Sequence, residues 1–389
     1  MKTLQRGGTF GRYVAVSKSA GYLTYVNNGT LFAAPFDPNA LELRGAPVPV
    51  LDRVAYSPVW GSARVDISAA PGAGTLIYRS GGVGGSKLTT VQWLDSAGKL
   101  QPLLAKPGAY TTPRLSPDGR RLALTVREGS NGDIWVYEPQ RDTMTRLTFN
   151  GSSQNPAWSP DGRYIAYEGN GGMFWTRSDG AAMEQPLTHS NSRQIPYSFT
   201  PDGSRLAFFA PTPTTGGSAL MTVPVKTTGD GLSAGMPEPF LVGGGFRHPA
   251  LSPDGHWIAY SSRESGSYEI YVRAFPDKGG RLQISNSGGV HPAWSRNGHQ
   301  LFYRNAENRL MAAAYTVKGD SFFPDKPRLW AQQQIPEPGF NGTTYDVGPD
   351  GRVAAVIQVE AAEGDQAQNR LIFLENFVDE LRRRVPVNK

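Results

Sequence analysis

A chain of 389 residues without cysteine excludes disulfides, thiol nucleophiles and thiolate metal sites. Its 46 glycines and 31 prolines fit many turns rather than disorder, because 8 Trp, 16 Tyr and 17 Phe supply a large core. The net charge of +6 is scattered, with Arg382-Arg383-Arg384 as the one tight run, which argues against a nucleic-acid reader. There is no run of about 18 apolar residues and no signal-peptide core, so membrane insertion by this chain is not expected.

In chain order, residues 1–8 read as a lone strand similar to Met144-Thr145-Arg146-Leu147-Thr148. Residues 11–52 form a divergent unit of short apolar runs (Tyr22–Val26, Thr30–Ala34, Ala46–Val50), and residues 61–105 form a second. Between residues 110 and 332 a pattern repeats clearly, over 110–150, 153–190, 195–242, 246–287 and 289–332. A last unit, 343–375, has three runs only, and a short helix is expected over 376–385, with Asn376 as N-cap and Pro386 as its stop.

The repeat is marked by Ser-Pro-Asp-Gly at Ser116–Gly119, Ser159–Gly162 and Ser252–Gly255. Its variants are Thr200–Gly203, Ser295-Arg296-Asn297-Gly298 and Gly348–Gly351. Proline presets the first turn position, Asp tolerates the second, and Gly accepts a left-handed conformation. Apolar runs flank each turn, as in Ala157-Trp158 before and Ile165-Ala166-Tyr167 after, which makes a hairpin. Two more runs complete each unit, as in Asp133–Tyr137 and Met144–Thr148. Four strands per unit of roughly 40–50 residues describe a β-propeller blade. The reading is therefore an all-β propeller of four-stranded antiparallel blades, a single domain over 1–389. Eight blades are counted, with seven as the alternative. Residues 1–8 would supply the strand missing from the last unit and close the ring.

These residues resemble the TolB-like, WD-repeat-like propeller repeat. With Gly29–Asp37 and Glu269–Pro276 they are also similar to the propeller regions of bacterial, acidobacterial-type serine/threonine protein kinases. The resemblance implies a binding or interaction module without a shared active site, and a periplasmic or other extracytoplasmic sensor separated from its kinase half. Gly8–Val14 with Lys18 imitates a kinase phosphate loop, but the lysine comes one strand too early and no His-Arg-Asp or Asp-Phe-Gly follows. Gly81–Gly85 does not join a strand to a helix, so it is a loop rather than a dinucleotide site.

His248 and His291 each precede a proline at the start of a first strand, 43 residues apart. First strands line a propeller's channel, where Arg64, Thr112, Asn155, Pro196 and Thr344 hold corresponding positions, with Asp66 and Asp346 lower down. The expected ligand-binding site is this channel mouth: His248, His291, Arg64, Asn155, Thr112, Thr344, Asp66 and Asp346. Its guest would be a protein or small molecule. No cofactor and no catalytic residue is assigned, although two imidazoles leave room for a divalent metal, and protonated below about pH 6.5 they would favour an anion. The alternatives are a propeller hydrolase or lactonase using channel His and Asp residues, or a structural subunit of a larger complex. A monomer is expected.

Overall fold

A computed structural model describes residues 8–17, 20–27, 29–52, 54–57, 62–68, 74–80, 88–128, 131–212, 217–229, 231–276, 279–335, 342–359 and 371–385. The chain divides into two compact units, 88–359 and a second one made of 1–87 with 360–389.

The 88–359 unit consists of six antiparallel sheets. Blade 1 runs Tyr110–Leu115, Leu122–Glu128, Asn131–Glu138 and Thr143–Arg146 from inside to outside. Blade 2 runs Gln154–Trp158, Tyr164–Gly169, Gly172–Arg177 and Gln185–Pro186. Blade 3 runs Ile195–Phe199, Arg205–Pro211, Ser218–Thr228 and Glu238–Val242, with Gly231–Ala234 extending its third strand as a hairpin. Blade 4 runs Arg247–Leu251, Trp257–Ser262, Glu269–Ala274 and Arg281–Gln283. Blade 5 runs Val290–Trp294, Gln300–Arg304, Arg309–Lys318 and Arg328–Gln334, with a similar extension at Ser321–Pro324. Blade 6 joins Tyr345–Val347 and Val353–Gln358 to Thr89–Leu94 and Leu100–Gly108. Each inner strand touches the next, and the inner strands of blades 6 and 1 touch in turn, so the ring is closed.

This ring corrects the expected count of eight and the expected closure. The partner of Val353–Gln358 is Thr89–Leu94, over six consecutive residue pairs from Leu94↔Val353 to Thr89↔Gln358. That pairing packs Val91, Leu103 and Leu104 with Ala354 and Val356 in one core. Blade 6 thus has four strands from residues 89–108 and 345–358, and the closing strand expected at residues 1–8 lies, apart from Gly8, outside the described residues. The units read as 61–105 and 343–375 are thereby split. Leu371–Leu374 pairs with Leu76–Arg79 instead, in the other unit.

That second unit has a sheet of Thr9–Ala15, Gly21–Asn27 and Thr30–Asp37, the last of which pairs with both Glu42–Leu43 and Val48–Leu51. Val65–Ile67 extends the Leu76–Arg79 pair to three strands. The expected helix is Phe377–Arg384; Phe377, Val378 and Leu381 enter a core with Tyr22, Leu31 and Leu76. Asn376 stands at its N-cap in a left-handed conformation, but its side chain makes no capping bond. The helix is instead anchored by the Phe377 N–H, which donates to Gly74 O at 2.6 Å.

The turn chemistry follows the sequence. In all six turns the glycine N–H donates to the carbonyl three residues back at 2.8–3.1 Å, with glycine φ between 68° and 81°. Ser116 and Ser159 each donate to the turn Asp at 2.5 Å, which consumes the carboxylates as turn formers. Between blades, Trp158 Nε1 donates to Arg114 O and Trp294 Nε1 to Ala250 O, both at 2.9 Å. Trp158 and Trp294 thus cross-link neighbouring inner strands.

Blade 5 has Arg296 where the other turns have proline. Its guanidinium reaches past blade 6 to blade 1, donating to Leu115 O (3.0 Å), Ser116 O (2.7 Å), Pro117 O (2.5 Å) and Val347 O (3.2 Å). Asp346 accepts from the Leu115 N–H at 2.8 Å. Together they tie blade 6, the one assembled from both ends of the unit, to its neighbours.

Two outcomes follow. Arg296→Ala should cost about 1–3 kcal/mol in urea denaturation, because charge-assisted bonds to several carbonyls are lost. A Cβ on Gly119 would lie 2.7 Å from Pro349 Cδ, whereas one on Gly162 meets nothing closer than 3.6 Å. Gly162→Ala should therefore cost about 1 kcal/mol for its positive φ alone, and Gly119→Ala clearly more. Equal losses would show that the contact between turns does not matter.

Candidate functional site

Five of the six inner strands, all but that of blade 6, are interrupted near their start. In blades 1, 2, 4 and 5 the ladder skips at Thr112-Pro113, Asn155-Pro156, His248-Pro249 and His291-Pro292, where two residues face one on the second strand. The residue before each proline has φ of 51°, 55°, 53° and 56°, a left-handed conformation rare outside glycine. Blade 3 carries Pro196 at this register and no such φ, so the fold does not require the strained form. Thr344 takes the position in blade 6.

Thr112, Asn155, His248, His291 and Thr344 are all buried. The two histidine rings lie with centroids 3.9 Å apart, tilted by 32°. Tyr197 stands edge-on to His248 at 5.7 Å, and the Tyr345 hydroxyl donates to His291 O.

Partners lie on the second strand, always thirteen residues downstream. Thr112 Oγ1 pairs with Thr125 Oγ1 (2.7 Å), Asn155 Nδ2 donates to Glu168 Oε2 (2.6 Å), and His248 Nδ1 meets Ser261 Oγ (3.2 Å). Glu168 also binds the Arg193 guanidinium. The same step from His291 reaches Arg304, which is 1% exposed. From Pro196 it reaches the apolar Phe209. Sequence reasoning missed Thr125, Glu168, Ser261 and Arg304. The signal that finds them is this spacing of thirteen, which follows from the hairpin length and the bulge.

The ring is unequal around the axis. In blades 1 and 2 the ring side chains Thr112 and Asn155 find partners within their own blade. On blades 4 to 6, His248 Nε2, His291 Nδ1, Thr343 Oγ1 and Thr344 Oγ1 are buried with no hydrogen-bond partner. Burial holds both imidazoles well below their usual titration range, and Arg247, Arg304 and Arg114 push further in the same direction. The rings are thus neutral near pH 6.5, which corrects the expectation of protonation just below it. Among the described residues no group of three His, Asp or Glu is placed to hold a metal.

Three expected members do not join the ring. Arg64 and Asp66 are exposed and belong to the other unit, because Val65–Ile67 pairs with Leu76–Arg79. Asp346 is on the inner strand of blade 6 but is committed to Leu115, with Arg296 and Arg114 at 3.8 and 3.9 Å.

No family model matches the chain. A protein TolB homolog of Chlorobium chlorochromatii is 37% identical over 101 residues, 25% of this chain and 22% of that protein. The Tol-Pal system protein TolB of Francisella tularensis is 23% identical over 232 residues, 57% of this chain and 51% of that protein. The chain therefore spans between about a fifth and a half of these relatives. Among solved structures, a TolB from Agrobacterium tumefaciens superposes with a TM-score of 0.52 at 17% identity, covering 70% of this chain and 99% of that one. The closed ring, its Ser-Pro-Asp-Gly turns and these likenesses agree: the chain carries a TolB-like β-propeller.

Proposed function

We propose that the propeller is a non-catalytic recognition module, whose guest, a protein segment or a small molecule, engages the polar axial ring at His248, His291 and Thr344. The observation that carries this reading is that four of the buried, unpartnered polar atoms, on His248, His291, Thr343 and Thr344, gather at the starts of the inner strands of blades 4 to 6. Each such atom costs about 1–3 kcal/mol, and left-handed non-glycine residues add to that. Blade 3 shows that the fold tolerates an apolar solution at the same register. Strain and unmet hydrogen-bonding capacity retained together mark a place kept for binding rather than for stability. The likeness to TolB proteins supports a protein guest and an extracytoplasmic setting. Among the described residues no helix is long and apolar enough to cross a membrane. The kinase-like resemblance fits a sensor module of a larger protein.

The decisive variant is His248→Leu/His291→Leu, which keeps volume and removes the unpartnered nitrogens. Affinity capture from cell extract, read by mass spectrometry, should identify a species held by the native protein and lost by the variant. Identical capture by both contradicts the reading. An esterase or lactonase activity lost in the same variant would favour the hydrolase.

The variant removes two orphaned nitrogens but also the partner of Ser261, so its stability should stay within about 2 kcal/mol of native, and a larger loss would show that the histidines serve packing. The pH dependence has a fixed sign. Folded His248 and His291 stay neutral where the unfolded chain takes up protons, so native stability is full above about pH 6.5 and falls below it. Each histidine contributes a slope of up to about 1.4 kcal/mol per pH unit. Urea denaturation between pH 5 and 7 should show this slope in the native protein and its loss in the double variant.

A further inference from the structure

Blades 3 and 5 share a design, a third strand lengthened into a hairpin before the fourth strand returns. Their registers match. Arg205 opposes Pro224 as Gln300 opposes Ala314, and Thr222 opposes Glu238 as Ala312 opposes Arg328. In blade 3 the two outer positions hold opposite charges, and Arg205 forms an ion pair with Glu238. In blade 5 they hold Gln300 and Arg328, so the internal carboxylate is missing. Among the described residues the Arg328 guanidinium forms no ion pair and no hydrogen bond.

Arg328 lines a groove between blades 5 and 6 that encloses about 570 Å³, within the roughly 300–1,000 Å³ typical of ligand sites. The groove holds a second guanidinium, Arg352, spread over the Trp93 ring at 4.4 Å and fixed by Asp350 at 2.7 Å. It also holds Trp330, steadied edge-on by Phe302 at 5.4 Å. Its two carboxylates are spent locally. Asp95 accepts from the Ala97 and Lys99 N–H groups, and Asp350 from the N–H and Nε of Arg352. What remains for a guest is the Arg328 guanidinium, with the Asp350-held Arg352 beside it, and an indole.

We infer that this groove is a second binding site, separate from the axial ring, for a ligand that joins an oxyanion to a flat ring. Arg328 and Arg352 take the carboxylate or phosphate group, and Trp330 packs on the ring. A planar guanidinium suits either oxyanion, and the apolar contact selects against bare inorganic ions.

The test uses benzoate, phenyl phosphate and the neutral benzamide, titrated against the fluorescence of the whole chain, with Trp330→Phe to identify the reporting indole. Saturable quenching by benzoate, phenyl phosphate or both is expected, with benzamide at least tenfold weaker. The stronger of the two oxyanions tells carboxylate from phosphate. Arg328→Gln, at an exposed position, should weaken binding at least tenfold. Gln300→Glu should do the same with Arg328 intact, because it restores the internal partner that blade 3 possesses. Equal binding of benzamide and benzoate, binding indifferent to both substitutions, or no saturable signal with either oxyanion would overturn the inference.

Discussion

The ring depends on one antiparallel pairing, Thr89–Leu94 against Val353–Gln358. A propeller blade cannot bury its faces alone; it needs a neighbour on each side, and a ring of blades needs its first and last to meet. Here the meeting is made within a blade. Two inner strands come from one end of the unit and two outer strands from the other, joined by a continuous hydrogen-bonded ladder. Pulling the ends apart therefore means breaking a sheet and opening its core, rather than parting two surfaces. Arg296 and Asp346 act on the same joint from the turn side, linking blades 5, 6 and 1 through backbone groups.

Closure also sets the geometry of the axis. Once six inner strands converge, residues at the starts of neighbouring strands come together, as the His248 and His291 rings do. A threonine or asparagine there can be satisfied by the second strand of its own blade, as Thr112 and Asn155 are. Two imidazoles at adjacent positions crowd each other, and Ser261 satisfies only one nitrogen of His248. The asymmetry of the ring is thus a consequence of which side chains occupy equivalent positions, and it is the asymmetry that suggests a recognition role.

Much of this was legible in the sequence, since turn chemistry is local. Ser-Pro-Asp-Gly predicts its own conformation, so the hairpins from residue 110 to 332 and the adjacency of His248 and His291 could be read from spacing. The closure could not. Thr89–Trp93 and Leu100–Leu104 look like the third and fourth strands of any unit, and nothing local says whether their inner partners lie before them or some 260 residues later. The apolar run Leu371–Leu374 misled for the same reason. Arg64 and Asp66 were assigned to the channel by counting units from the wrong closure. The charges in the groove between blades 5 and 6 become informative only when the registers of blades 3 and 5 are aligned, which needs the strand pairs.

The cysteine-free chain offers a direct measurement of the closure. Val91 and Val356 are cross-strand partners, both buried, and belong to the two halves of blade 6. A Val91→Cys/Val356→Cys variant should form an intramolecular disulfide under mild oxidation, detectable by intact mass and by a mobility shift that reductant reverses. Free thiols persisting in the folded, oxidised protein would contradict this pairing, and with it the six-bladed ring on which the axial site rests.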